Sequence, residues 1–303
     1  MKNRWWVWLV GVAVAALLVA GGIVVGQYMN GGGGNGDGSG NGDGTVEPTE
    51  SVEPTAQTDG DGDGDETRHV LVYFVRGENV GVARREIPAT EAVATAAMEE
   101  LLAGPTAQEE AWGLGSQIPE GTKLNGVTIA DGTARVDLSG DFETGGGTLS
   151  MALRLAQVTY TLAQFPTVDR VVFLLDGEVV EVFSGEGIIL DGPVTRATCE
   201  EVTPALLVES PAPGETITSP VRITGTGNTF EAAFIVRIEG PNGEILAEEP
   251  AMATSGSGTR GTFDVSAPFS VAEECDGTLV VYESSAQDGS PINVIEIPVR
   301  LKP

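Results

Sequence analysis

Within residues 69–303 the hydrophobic pattern changes near Cys199, from mixed helical and strand spacing to strand spacing alone. Before that point, apolar residues recur every three to four positions in two stretches and alternate in several others, which is typical of an α+β domain. After it, only short alternating runs remain, separated by turn residues. The pattern therefore predicts an α+β domain at residues 69–197 and an all-β domain at residues 198–303.

The α+β domain is predicted to follow the order β-β-α-β-β-α-β-β. Its first helix begins after Thr90 and stops at Gly104, loop residues follow, and its second helix runs from residue 148 to Phe165, just before Pro166. The strands are expected at residues 70–75 and 80–85 and in two hairpins that turn at Asp131-Gly132 and Asp176-Gly177. This order predicts two helices packed on one face of a largely antiparallel sheet.

The all-β domain contains seven predicted strands, with turn residues such as Asn242-Gly243 between them. They are expected at residues 205–208, 221–224, 233–239, 244–249, 262–265, 278–284 and 294–301. Seven short strands in about 100 residues predict an immunoglobulin-like β-sandwich. The buried tryptophan and intersheet cysteine pair of antibody domains are missing from the sequence, so the inference covers the architecture alone.

An uncharged, mostly apolar segment occupies residues 5–25. As a helix of about 21 residues it would be roughly 31 Å long, close to the hydrocarbon thickness of a bilayer. Lys2 and Arg4 precede the segment and the sequence after it is acidic, so the positive-inside rule places the amino terminus in the cytoplasm. We therefore expect residues 1–26 to form a cytoplasmic stub and a single-pass transmembrane helix, with the two domains outside the cell membrane.

A cleavable signal peptide is the alternative interpretation of this segment. Leu18-Val19-Ala20 offers small or apolar residues where a peptidase could cut. The apolar run is longer than the hydrophobic region of a usual signal peptide, which favours a retained anchor. No cysteine lies near the segment, so a lipid-modified amino terminus is excluded.

Residues 27–68 are rich in Gly, Asp, Glu, Pro and Thr and almost free of large apolar side chains. Such a segment cannot bury enough surface to become ordered, so we expect a disordered acidic linker. Its run "TDGDGDGDETRH" resembles a calcium-binding loop at first sight. Counted from Asp59, however, the twelfth position is Val70 rather than the closing glutamate, which favours the linker.

The charge balance limits the kind of partner. The chain has 44 acidic and 16 basic residues, and its formal net charge is −28. Nucleic acids and anionic lipid headgroups are bound mainly through Lys and Arg, so a surface this acidic repels both. Cationic partners, or partners bridged by divalent ions, are electrostatically permitted.

The chain has two cysteines, Cys199 and Cys275. Because both lie in the part predicted to be outside the cell, a disulfide between them is the simplest expectation. Two separate buried thiols are the alternative. A metal site is not expected, since only His69 could be added to the two thiols.

The sequence offers little for catalysis. His69 is the single histidine and lies at the end of the linker, and there is no G-x-S-x-G motif, phosphate-binding loop or zinc-ligand spacing. We therefore expect no enzyme activity, no catalytic residue and no cofactor. The alternative is a cell-wall-acting hydrolase that uses paired carboxylates, with Asp137 and Asp141 as the first pair to test. These two residues equally suit a strand end and the loop after it.

Trp112 lies in the loop "EEAWGLGSQIP". A tryptophan on a loop can anchor a partner or stack on a sugar ring, and it can also pin the loop to the core. We take Trp112 as the candidate partner-binding residue.

Residues 70–190 resemble the GerMN domain of bacterial spore germination proteins and actinobacterial envelope lipoproteins. The resemblance rests on "VLVYFVRG", "ELLAGP", "GLGSQIPEGTKLNGVTIADGTARVDLSGDF" and "LAQVTYTLAQFPTVDRVVFLLDG". Residues 205–302 resemble the immunoglobulin-like domain that often follows GerMN, through "VESPAPGETITSPVRITGTGNTFEAAF", "RGTFDVSAPF" and "ESSAQDGSPINVIEIPVRL". The cysteine pair that often flanks the "GxGxRG" glycine in that second family is missing here.

The resemblance implies an extracytoplasmic, envelope-associated and non-catalytic protein with a role in germination or at the cell surface. It carries no catalytic residues. The expected partner is a cell-wall polymer or another envelope protein, and the chain would be held at the membrane by its amino-terminal helix. Many GerMN proteins of germination are lipoproteins, so the predicted spanning helix departs from the family pattern.

Overall fold

The structure is a computed structural model that describes residues 66–185 and 187–303. The predicted anchor and nearly all of the predicted linker lie outside the described residues. Within the described part, no helix combines the length and apolar character needed to cross a membrane.

The described part of the α+β region, residues 66–197, contains eight strands and three α-helices. In chain order they are β1 (Thr67–Arg76), β2 (Asn79–Pro88), α1 (Val93–Leu102), α2 (Ala107–Ala111), β3 (Leu124–Ala130), β4 (Thr133–Leu138), α3 (Thr148–Leu162), β5 (Arg170–Leu175), β6 (Glu178–Val179), β7 (Val182–Phe183) and β8 (Ile188–Ile189). The predicted linker, which ends at residue 68, overlaps β1 by two residues, because β1 begins at Thr67.

The strands of this region form three separate sheets. β1 and β2 pair as a long antiparallel hairpin, and β7 and β8 pair as a short one. The remaining sheet has the order β3-β4-β5-β6. The pairs β3-β4 and β5-β6 are antiparallel, in agreement with the expected largely antiparallel sheet, whereas the central pair of β4 and β5 is parallel. The reason is the connection: α3 lies between the two strands in the chain and crosses over the sheet, as parallel neighbours require.

Helix α2 lies in a segment that we expected to be a loop. Its first turn is closed by a capping box, in which the Thr106 side chain accepts from the Glu109 backbone and the Glu109 carboxylate accepts from the Thr106 backbone. The sequence signal for such a box is Thr followed three residues later by Glu, and it was present.

The sandwich region, residues 198–303, contains eight strands rather than seven. They are β9 (Leu206–Ser210), β10 (Thr216–Thr218), β11 (Val221–Gly227), β12 (Ala233–Glu239), β13 (Ile245–Met252), β14 (Gly261–Ala267), β15 (Cys275–Ser284) and β16 (Pro291–Lys302). One sheet has the order β14-β11-β9 and the other β10-β16-β15-β12-β13. The unexpected strand β10 has three residues and pairs in parallel with β16, which is too short a run for an alternating pattern to reveal.

The buried apolar residues form two cores, one in each region. Helix α3 is the centre of the first core, since eleven of its fifteen residues are buried. The sequence predicted one apolar stripe on this helix, but a helix surrounded by other elements is buried on nearly every side. The second core fills the space between the two sheets of the sandwich, and Phe234 and Phe263 pack there with ring centroids 4.8 Å apart.

Candidate binding groove and the junction of the two cores

Strand β9 belongs to both cores at once. Leu206 and Val208 are buried in the second core, whereas Leu207 is buried in the first. Successive side chains of a strand point to opposite faces, so one short strand can serve two cores. We call the contact surface between the two cores the junction; it contains Leu207, Tyr73, Tyr160, Arg196, Thr203 and Glu209.

A charged and aromatic network occupies the junction. Arg196 Nη1 donates to Glu209 Oε1 at 2.7 Å, and Arg196 Nη2 donates to the Tyr73 hydroxyl at 3.1 Å. The Tyr73 hydroxyl in turn donates to Glu209. The guanidinium carbon of Arg196 lies 4.7 Å from the ring centroid of Tyr160 and 5.4 Å from that of Tyr73, a cation–π arrangement. Both terminal nitrogens of Arg196 and the Tyr73 hydroxyl therefore have partners, whereas the buried Arg196 Nε has none.

Burial determines the acid–base behaviour of the junction. It raises the pKa of Tyr73 well above its ordinary value; Arg196 acts against this shift and Glu209 adds to it. Burial also acts to lower the pKa of Arg196, but the neighbouring Tyr73 and Glu209 outweigh it and the pKa is raised. Arg196 thus stays charged and Tyr73 stays neutral across the physiological range.

Trp112 lies at the edge of the junction, where it follows α2 and is half-buried. Its ring lies so close to Gly214 that a Cβ at that position would overlap it. Arg76 donates to the Trp112 carbonyl at 2.7 Å and to the Glu296 carbonyl at 2.8 Å, which ties the same loop to the sandwich. The structure therefore gives Trp112 an intramolecular contact, and its partner-binding role stays a prediction.

The predicted disulfide between Cys199 and Cys275 is wrong, because both residues are free thiols. Cys199 is buried in the first core and Cys275 packs against the second, so each thiol has its own apolar surroundings. Burial raises the pKa of Cys199 to about 11. Neither the spacing of apolar residues nor the composition of the sequence indicates which core contains each thiol.

The remaining candidate residues from the sequence, Asp137, Asp141 and His69, belong to strands or to the turn after a strand. Asp137 Oδ1 accepts from the Gly177 backbone at 3.1 Å, and Asp141 Oδ2 accepts from the Ser139 hydroxyl at 3.3 Å. His69 is exposed in β1, opposite Glu86, rather than in a linker. Among the described residues, no group of three or more His, Cys, Asp or Glu side chains is arranged to hold a metal ion.

Two apolar cavities of the α+β region lie beside the segment of residues 188–193, which we call the strap. A cavity of about 300 Å³ lies on one side of the strap, walled by α3 and by residues 198–202, and the buried Cys199 lines it. A second cavity of about 460 Å³ lies on the other side, walled by β5 and residues 179–182. We call the two cavities and the strap together the groove.

Backbone hydrogen bonds hold the strap in place at both ends. Leu190 N donates to Glu181 O at 2.8 Å, and Val171 and Val194 exchange two bonds of 2.8 Å each. Between these points the chain turns at Gly192, whose φ of +107° is open to glycine but not to a residue with a side chain. The strap is therefore held by its backbone while Ile189 faces outward and Ile188 and Leu190 pack against the first core.

Three apolar side chains of the groove are exposed. Val179 is 52% exposed, Val182 56% and Ile189 68%, and the last two lie directly opposite each other on β7 and β8. The charged residues that line the two cavities are Glu181, Asp191 and Glu201. Among the described residues that line them, none is Lys, Arg or His.

The groove was not predicted from the sequence, although the sequence contains a signal for it. The stretch "GEVVEVFSGEGIILDGPV" contains two apolar runs within a few residues of several glycines. The side chains of such runs cannot all be buried, because successive side chains of a strand point to opposite faces. Exposed apolar side chains were therefore to be expected near residues 179–190.

Two family models match the chain, each by one domain. Residues 71–181 match the model described as "Sporulation and spore germination", and residues 205–290 match "Immunoglobulin-like domain of bacterial spore germination". No curated protein matches this chain. The two matches confirm the resemblance inferred from the sequence and span most of the described residues.

Three solved structures resemble part of the chain. The first GerMN domain of the sporulation protein GerM from Bacillus subtilis is 26% identical, with a TM-score of 0.37, and the match covers 43% of this chain and 98% of that one. The tandem GerMN domains of the same protein are 19% identical, with a TM-score of 0.38 and coverage of 61% and 60%. A putative lipoprotein from Clostridium perfringens is 20% identical, with a TM-score of 0.33 and coverage of 45% and 93%. By these family matches, the chain contains a GerMN domain of the sporulation and spore germination type, followed by the immunoglobulin-like domain of bacterial spore germination.

Proposed function

We propose that this protein is a membrane-anchored, extracytoplasmic and non-catalytic binding protein of the bacterial cell envelope, which acts in sporulation or germination. In this proposal residues 1–26 anchor the chain, the acidic linker holds the rest away from the bilayer, and the groove binds an envelope partner. The family matches support the setting. The charge distribution around residues 5–25 supports the orientation.

The groove is the observation that carries the proposal. Binding sites are concave, mostly apolar and provided with a few polar groups, and the groove has all three properties. Contiguous exposed apolar surface marks interaction sites, and the exposed Val182 and Ile189 lie directly opposite each other beside the groove.

The junction supports a scaffold role. Interfaces between domains that move freely are small and mostly polar, whereas here Leu207 is buried in the first core and the charged groups around it are paired. The groove would then keep a fixed orientation relative to the sandwich. A partner held in the groove and a second partner on the sandwich would be held at a defined geometry.

The orientation in the membrane is tested with the full-length chain, tagged at its carboxy terminus, in intact cells. Protease added outside should remove the tag, and inside-out vesicles should protect it. The opposite pattern would refute the extracytoplasmic location and the proposed function with it.

The binding role is tested by retention of the full-length chain on envelopes. Envelopes stripped of their own copy should retain the wild-type chain, and Ile189→Ser should weaken retention, while Ile245→Ser, which removes an exposed isoleucine of the sandwich, should not. Treating the envelopes with protease or with a wall hydrolase beforehand distinguishes a protein partner from a wall polymer. Equal retention of both variants would mean that the groove is not the binding site.

The hydrolase alternative has its own test. Release of dye from labelled peptidoglycan by the full-length chain, abolished by Asp137→Asn or Asp141→Asn, would contradict the non-catalytic part of the proposal. We expect no release above the background of a buffer control.

A further inference from the structure

We propose that the groove binds a short apolar segment of a partner protein in which Lys or Arg residues flank the apolar side chains. This inference rests on the proposed binding function and adds the chemistry of the partner.

The walls of the groove are mostly apolar. The first cavity is lined mainly by aliphatic side chains of α3, the strap and residue 202. The second cavity is lined by valines of β5 and of residues 179–182, together with the strap. Ile189 lines both cavities, so an occupant of either one contacts it. Transfer of apolar side chains from water onto these walls would drive binding.

The size of the cavities favours side chains over a large ligand. A volume of about 300 Å³ is at the lower end of the range for small-molecule pockets. Protein segments commonly bind by placing one or two bulky apolar side chains in such pockets, and these few residues carry most of the affinity. Two cavities on the two sides of one strap would accept two such anchors of a segment that crosses it.

The negative charge of the groove favours basic residues next to the anchoring apolar side chains of the bound segment. Glu181, Asp191 and Glu201 are exposed around the two cavities, and the described lining contains no cation to balance them. A Lys or Arg side chain can lie along an apolar wall with its aliphatic part and place its charge beside a carboxylate. A segment with apolar and basic side chains would therefore be stabilised both by the apolar walls and by the carboxylates of the groove.

The same charges argue against other occupants. A second copy of this chain would bring its own net charge of −28 toward the acidic rim. An anionic bilayer would be repelled for the same reason.

The experiment uses the full-length chain in nanodiscs of phosphatidylcholine and three fluorescent peptides of equal length. The first peptide has two leucines and a phenylalanine flanked by lysines, the second has glutamate in place of each lysine, and the third has serine in place of each apolar residue. Measured by anisotropy at low salt, the first peptide should bind, and the other two should bind at least about tenfold more weakly. Raising the salt should weaken binding of the first peptide, because exposed charge pairs are screened.

Variants assign the binding to the groove. Ile189→Ser combined with Val182→Ser should weaken binding of the lysine peptide at least about tenfold, and Asp191→Asn combined with Glu201→Gln should remove most of its advantage over the glutamate peptide. Ile245→Ser is the matched control, because Ile245 is 57% exposed on the sandwich, and it should leave binding unchanged. Circular dichroism melts of each variant should coincide with the wild-type melt, since all the replaced side chains are exposed.

Three outcomes would overturn the inference: equal binding of the lysine and glutamate peptides, no binding of the lysine peptide, or binding that the Ile189 and Val182 replacements do not change. Self-association that depends on Ile189, measured by sedimentation, would instead assign the groove to a second copy. The envelope-retention test is independent of these results. If retention needs Ile189 but the peptides do not differ by charge, the proposed function stands and the chemistry inferred here does not.

Discussion

The junction and the groove share two structural elements, but they differ in what covers their apolar surfaces. Helix α3 contributes Tyr160 to the junction and Leu155 to the groove. The segment after the α+β region contributes Thr203 to the junction and Cys199 to the groove. In the junction the sandwich covers these elements, whereas in the groove the covering strap leaves a cavity on each side.

The polar groups of the two regions differ in the same way. In the junction the Tyr160 and Thr203 hydroxyls lie 2.8 Å apart, and Thr203 donates onward to the Cys199 carbonyl. A buried polar group is costly unless it is hydrogen-bonded, so this pairing is what permits the two cores to meet. The carboxylates of the groove are exposed to water and do not need a hydrogen-bond partner within the protein. The comparison indicates that the junction contributes stability and that the groove is free to contribute binding.

The largest expected effect is in the junction. Leu207→Ala should lower the free energy of unfolding by about 2–5 kcal/mol, because it leaves a cavity in the first core. Leu206→Ala, on the opposite face of the same strand, is the matched variant and should cost a similar amount in the second core. Urea unfolding followed by circular dichroism in a non-ionic detergent measures both.

The shape of those transitions sharpens the comparison. If the junction couples the two cores, each variant should shift a single transition that both regions share. Two separate transitions, each displaced by one variant only, would show that the junction does not couple the cores.

The next effect concerns the charged network. Glu209→Ala removes the acceptor of both Arg196 and Tyr73, and leaving these groups unpaired should cost about 1–3 kcal/mol of unfolding free energy. Asp264→Ala is the control, since it breaks an ion pair of the same 2.7 Å length between exposed residues and should have a much smaller effect. Equal losses in the two variants, measured by urea unfolding, would mean that the junction network contributes no more than a surface pair.

Stability should also fall at alkaline pH. The pKa values of Cys199 and Tyr73 are both raised in the folded state, so the unfolded chain loses these protons first and is favoured as the pH rises. The contribution of Cys199 is fully present below the pKa of an unfolded thiol and is lost as the pH rises toward about 11. The contribution of Tyr73 declines from about pH 10 upward. Urea unfolding at a series of pH values from neutral to alkaline measures the decline.

Two variants separate these contributions. Cys199→Ala should flatten the first part of the decline, and Tyr73→Phe should flatten the later part. An unchanged pH profile in Tyr73→Phe would contradict the assignment of the later part to the junction.

The smallest expected effect is in the groove. Ile189→Ser should change the free energy of unfolding by less than about 0.5 kcal/mol, because its side chain is 68% exposed. A large loss of stability in the same urea assay would show that Ile189 supports the fold, and the groove would then be part of the structure rather than a free surface.

Local turns and periods were predictable from the sequence. Both Asp-Gly hairpins formed as expected, with φ values of +50° and +73° at Asp131 and Gly132 and of +48° and +87° at Asp176 and Gly177. These turns depend on two adjacent residues that tolerate positive φ, and a sequence shows such residues directly. The GerMN and immunoglobulin-like domains were also recognisable, because their motifs follow one another at fixed spacing.

The features that the sequence did not reveal depend on residues far apart in the chain. The parallel pairing of β4 with β5, the pairing of β10 with β16 and the separation of Cys199 from Cys275 all result from contacts across the fold. Hydrophobic period shows that a strand exists but not which strand lies beside it.

The sequence by itself determined where most of the long strands and helices form, where the Asp-Gly turns lie, which families the two domains resemble and that the chain is strongly acidic. Each of these properties is a matter of local spacing or of composition. Only the tertiary structure decided that β9 serves two cores, that Glu209 meets Tyr73 and Arg196, and that the strap leaves an open groove. Those three facts depend on which distant side chains share one small volume, and a linear pattern of apolar and polar residues does not contain that information.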